Sequence, residues 1–175
     1  MSLWARVSLE QLTPARLWAA LEPDLRVLAA RSAYTGPADQ AAARREADRA
    51  IAMTLRFRDT AVRQLPVEKR VTYIARNVRA DDSLAATLLV ALHLQHRQEL
   101  LGAFLDALAI PHSAGVIDAE HRLEPPTAPQ LAAAVDGLYA RFPAEQVEVY
   151  LASLLAMDPE SWSGLVETIE QRRAS

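Results

Sequence analysis

Along most of the chain apolar residues recur every three or four positions, the period of a helix with one buried face. Strict alternation, the mark of a half-buried strand, is almost missing; the nearest case, Val147-Glu148-Val149-Tyr150, lies inside a helical stretch. Prolines and short polar residues divide the pattern into about seven helices. Ser8 and Gln11 have capping-box spacing, and Pro14 after Thr13 starts an apolar stripe of Leu17, Trp18 and Leu21. Pro23 opens a second helix carrying Leu25, Val27, Leu28 and Tyr34, which ends in the turn Tyr34-Thr35-Gly36-Pro37. The pattern then runs unbroken over residues 37–65, and Pro66 begins a shorter segment reaching Val78.

Asp81, Asp82 and Ser83 fit the start of the next helix, expected over residues 82–110 and stopped by Pro111. Nearly every residue of 84–94 is apolar, so this helix is expected to have neighbours on all sides. Residues 111–126, with Pro111, Gly115, Pro125 and Pro126, read as one long irregular connection. Thr127 caps a helix to Phe142, Pro143 opens another to Met157, and Asp158 with Pro159 opens the last, with Trp162, Leu165, Val166 and Ile169 apolar. Residues 171–175 are expected to fray. The pattern predicts an all-α fold: one domain over residues 1–175, an antiparallel bundle of about seven helices around a central apolar helix at 82–110.

Composition agrees with that class. The 175 residues include 34 Ala and 25 Leu, the best helix formers, against 5 Gly. The absence of Cys excludes a disulfide scaffold, thiol catalysis, Fe–S clusters and Cys-ligated zinc. The scarcity of Gly leaves little room for a backbone phosphate cradle, and no Gly-x-Ser-x-Gly elbow or kinase signature is present. Of the 19 basic residues 18 are Arg, a bias expected of a bacterial-like, GC-rich coding sequence. Residues 1–7 lack a basic start followed by an apolar core, and no eighteen-residue window is free of charge. The expected compartment is therefore the cytoplasm, with no membrane partner.

Charge changes the picture more. The net charge of −3 conceals a basic block over residues 44–79, with ten basic residues against four acids, and an acidic region over 80–171, with three Arg against fourteen acids. On a continuous helix Arg45, Arg49, Arg56 and Arg63 fall within about 40° of one another. The stripe is suited to an acidic protein partner, to pairing with the chain's own acidic region, or to a polyanion. The acidic overall balance and the lack of a reading module disfavour nucleic acid. Arg58 falls on the apolar side of the same helix, which makes it a candidate for a buried ion pair, with Asp106 or Asp136 as possible partners.

The four histidines, His93, His96, His112 and His121, lie within residues 93–121. His93, His96 and Glu99 follow one another at three-residue spacing, one face of a helix, and form the candidate metal set. Imidazole suits Zn, Fe or Ni, and Asp118 and Glu120 of the long connection are possible further ligands. The pattern matches neither Glu-x-x-His nor His-Glu-x-x-His. Ser113 beside His112 does not make a triad, and Asp81 and Asp82 suit a helix cap better than acid–base work. Three functional expectations follow. The first is an adaptor-like or regulatory interaction protein without a cofactor, pairing with a protein partner or with itself as a homodimer. The second is a metal-binding bundle, or metal-dependent enzyme, holding a divalent transition metal such as Zn. The third is a polyanion binder through Arg45, Arg49, Arg56 and Arg63.

Overall fold

A computed structural model describes residues 2–36, 41–118, 120 and 124–174. The fold is all-α, with one two-stranded hairpin among the described residues. No helix among those residues is long and apolar enough to cross a membrane. The contacts divide the chain into two compact units: a continuous one, Pro14–His96, and a discontinuous one that joins Met1–Thr13 to Arg97–Ser175.

The continuous unit holds α1 (Pro14–Ala20), α2 (Pro23–Thr35), α3 (Ala41–Leu55), α4 (Asp59–Gln64), α5 (Val67–Arg76) and α6 (Asp82–His96). Prolines sit at the starts of α1 and α2 and immediately before α5, where a missing N–H costs nothing. Asp81 accepts the Leu84 N–H and so caps α6, as its place before the apolar run predicts. Asp82 accepts the Ala15 N–H at 2.9 Å, capping α1 from across the unit. Helix α6 packs against α1, α2 and α3, and α2 also packs against α5. Leu88, Leu89 and Leu92 of α6 are fully buried, as are Ala29, Ala30 and Ala33 of α2, whose small side chains permit close helix approach. Residues 84–94 are thus a core segment, with Val90 the exposed exception.

Two expected helices are each interrupted. The stretch 37–65 is not one helix: α3 stops at Leu55, Arg56 takes a left-handed conformation (φ 55°), and the Phe57 N–H reaches back to the Ala52 carbonyl. That six-to-one bond closes the helix in the manner usually served by glycine. The stretch 82–110 is also two helices, α6 and α7 (Gln98–Ala107), broken at Arg97 (φ −138°, ψ 22°). Arg97 is buried and donates to the Gln146 carbonyl, which takes its backbone off the helical path. A similar left-handed stop, Ala109 (φ 54°) with Ile110 N–H to Leu105 carbonyl, ends α7.

The discontinuous unit begins with 3-10 turns at Leu3–Ala5 and Leu9–Gln11, where the Ser8 side chain makes no capping bond. It continues through α7, strands β1 (His112–Ser113) and β2 (Val116–Ile117), then α8 (Ala128–Arg141), α9 (Ala144–Met157) and α10 (Gly164–Ala174). The irregular connection expected over 111–126 therefore contains an antiparallel hairpin, with His112 opposite Ile117 and Ser113 opposite Val116. Its turn residues, Ala114 (φ 51°) and Gly115 (φ 83°), are both left-handed, as a two-residue hairpin requires. Gly115 lies so close to α7 that a Cβ there would come within 2.5 Å of Leu101 Cβ. Thr127 opens α8 with its N–H donated to Gln130. The last helix begins at Gly164, later than Asp158 and Pro159 suggest, and its described residues run to Ala174. Phe104 anchors this unit, edge-on to Tyr150 at 5.5 Å and tilted against Trp162 at 5.6 Å. Glu148, buried on α9, accepts the Ser2 hydroxyl and the Leu3 N–H, and Trp4 Nε1 donates to Tyr139.

Candidate functional site

The basic block forms a corner rather than a straight stripe. Arg45, Arg49 and Met53 stand on one ridge of α3 at four-residue spacing, all exposed. Because the helix stops at Leu55, Arg56 lies in the turn, Arg58 at the boundary of α4, and Arg63 in α4. All five arginines are exposed, and none of their side chains makes a hydrogen bond or ion pair with another described residue. Other arginines in the chain are paired: Arg31 with Glu68, Arg70 with Asp48, Arg141 with Glu99, Arg172 with Asp136. Arg58 is therefore not a buried ion-pair member. It was placed on an apolar face by a helix that ends before reaching it.

Two large apolar side chains share the corner in the open, Met53 at 71% exposure and Phe57 at 44%. Beside Met53 a groove of about 380 Å³ runs between α3 and the segment leading into α6. Ala50, Met53, Val78 and Leu84 give it an apolar lining, and Arg49 and Arg79 stand on its border. Two carboxylates also line it, but both are committed within the chain. Glu46 accepts the Ser83 hydroxyl at 2.6 Å and the Thr87 hydroxyl at 2.9 Å, and Asp81 caps α6. The groove therefore offers an apolar floor and free guanidinium donors, and no free acid.

The candidate metal set is not brought together. His93 is buried in α6 and His96 is exposed on the same helix; Glu99 lies beyond the break at Arg97, on α7, facing Arg141. Among the described residues no group of three or more His, Cys, Asp or Glu side chains is placed to hold a metal ion. His112 is engaged in structure: Nδ1 accepts the Gly115 N–H at 3.2 Å, which leaves Nε2 to donate to Asp106 at 3.1 Å. Ser113 bonds Asp118 instead of His112. His121 lies outside the described residues.

The buried charges are elsewhere. Asp48 of α3 accepts the Tyr34 hydroxyl at 2.8 Å, and both of its oxygens accept from Arg70 Nη1, at 3.2 and 3.1 Å; the Arg70 guanidinium also lies 4.8 Å from the Tyr34 ring centre. Burial, reinforced by the Asp48 charge, pushes the Tyr34 phenol well above its usual range. The signal was in the sequence: Asp48 is in helical register with the buried Ile51 and Ala52, and the half-buried Arg70 with the buried Ile74. Besides Glu148, Arg97 is a further hidden charge. Burial lowers its pKa to about 10, with Glu145 opposing, so it remains charged at neutral pH.

No protein-family model matches the chain, and no curated protein or solved structure matches it.

Proposed function

We propose that the chain is a helical protein-interaction module, adaptor-like or regulatory, that works in the cytoplasm and docks a protein partner on the corner formed by α3 and α4. One observation carries this reading: five exposed arginines without a carboxylate partner among the described residues lie on the same short stretch of α3, turn and α4 as two exposed apolar side chains, and Arg49 with Arg79 lines an open groove there. An apolar centre rimmed by charge is the usual make-up of a docking surface, and Arg and Met are enriched in such places. Self-association is the variant of the same reading in which the partner is a second copy.

The test is site-specific photocrosslinking. A photoreactive residue in place of Met53 is expected to trap one protein reproducibly in cells, and Arg49→Glu with Arg56→Glu is expected to abolish the adduct. The same probe at Thr60, exposed on α4, serves as the control. Equal, diffuse labelling from both positions overturns the assignment.

A further inference from the structure

We infer that the segment received at this corner is an acidic amphipathic helix, which lays an apolar side chain in the groove beside Met53 and sets carboxylates against Arg49 and Arg79. The inference rests on the interaction reading and specifies the partner's chemistry. It follows first from charge complementarity. Residues 44–79 carry ten basic residues against four acids. Of those acids, Asp48 is taken by Tyr34 and Arg70, Glu46 by Ser83 and Thr87, and Glu68 by Arg31. Only Asp59 stays uncommitted there, against the free guanidiniums of Arg45, Arg49, Arg56, Arg58, Arg63 and Arg79.

It follows next from the mixture of chemistries. A purely ionic ligand would leave the exposed Met53 side chain in water, whereas a purely apolar one would leave the arginines unmatched. The groove, about 380 Å³, is of a size to take an anchoring side chain or two, not a whole fold. The combination is the helix-in-groove mode, in which side chains three and four apart supply the anchors. Guanidiniums add direction, because each can hold a carboxylate through two parallel bonds.

Three fluorescent probes test the inference by anisotropy with the full chain: a designed helical peptide of about sixteen residues, with Leu at helical spacing and Glu elsewhere; polyglutamate of equal length; and an oligothymidylate. The Leu–Glu peptide is expected to bind at least about tenfold more tightly than polyglutamate, and to weaken as salt rises. Arg49→Glu with Arg79→Glu, and separately Met53→Ala, are each expected to weaken it by about tenfold while the far-ultraviolet spectrum and melting temperature stay unchanged. Equal binding of all three probes shows a general polyanion surface and overturns the inference. Failure of the peptide to bind, with the Met53 crosslink intact, overturns the partner chemistry and leaves the interaction module standing. A dimer in light scattering that Met53→Ala dissolves makes the occupant a second copy, and this too overturns it.

Discussion

Replacing Asp48 with Ala removes the acceptor of the Tyr34 hydroxyl and the counter-charge of Arg70 in one step. The hydroxyl, on a residue only 7% exposed, is left without that bond, and stranding such a group costs about 1–3 kcal/mol. The guanidinium is left in a site where its side chain keeps 15% exposure, and Nε already has no hydrogen-bond partner. Removing one member of a buried ion pair typically costs about 3–5 kcal/mol. The residual exposure lets water reach Arg70, so the lower end applies, about 3 kcal/mol. Because Asp48, Tyr34 and Arg70 all belong to the continuous unit, the loss is expected there. Trp18 is that unit's single tryptophan, so in a background with Trp4 and Trp162 changed to Phe its fluorescence during urea unfolding reports the unit directly. Tyr34→Phe is expected to cost about 1 kcal/mol. The double variant Asp48→Leu with Arg70→Met, which removes both charges but still strands the Tyr34 hydroxyl, is expected to lie about 1–3 kcal/mol below the parent and above the single variant. An Asp48→Ala protein less than about 1 kcal/mol below the parent, or a double variant weaker than the single one, refutes the argument.

Stability is expected to fall on the alkaline side. Burial raises the phenol pKa of Tyr34 and of Tyr150, so the unfolded chain ionises first. Their contribution is complete below the ordinary phenol value of about 10 and is lost above it, at about 1.4 kcal/mol per pH unit for each tyrosine; urea midpoints measured through this range check the slope, which Tyr34→Phe should reduce. Ala109→Gly, at φ 54°, is expected to stabilise by about 0.5–1 kcal/mol by relieving a left-handed alanine. Gly115→Ala is expected to destabilise by about 1–3 kcal/mol, because φ is 83° and the new Cβ meets Leu101; thermal melts distinguish these opposite signs.

Helix starts were legible because they are written in local chemistry: Pro14, Pro23, Pro66, Thr127 and Pro143 each stand at or beside a helix start. The stops were less so. Arg56 and Arg97 end helices without glycine or proline, through a left-handed residue in one case and a buried guanidinium in the other, and apolar periodicity runs through both without interruption. The two-residue strands at 112–117 are too short to leave an alternating pattern, and their turn carries a single glycine. Of the candidate site, the charge asymmetry could be read directly. That Arg49 would border a groove while Glu46 and Asp81 were turned inward depends on how α3 meets the start of α6, a packing relation between residues about 35 apart in sequence.

The bonds from Ser2 and Leu3 to Glu148 span about 145 positions. A ribosome adding about 5–20 residues each second reaches Glu148 on the order of ten seconds after releasing Leu3. Throughout that delay Leu3, buried in the finished protein, has not met its acceptor Glu148, and Trp4 meets Tyr139 only shortly before, whereas residues 14–96 emerge with their own set of neighbours complete. Synthesis thus imposes a schedule on the two units. The nascent chain carries an unsheltered leucine and tryptophan until Glu148 has been made, and any factor that shields newly made proteins would find its clearest opportunity there.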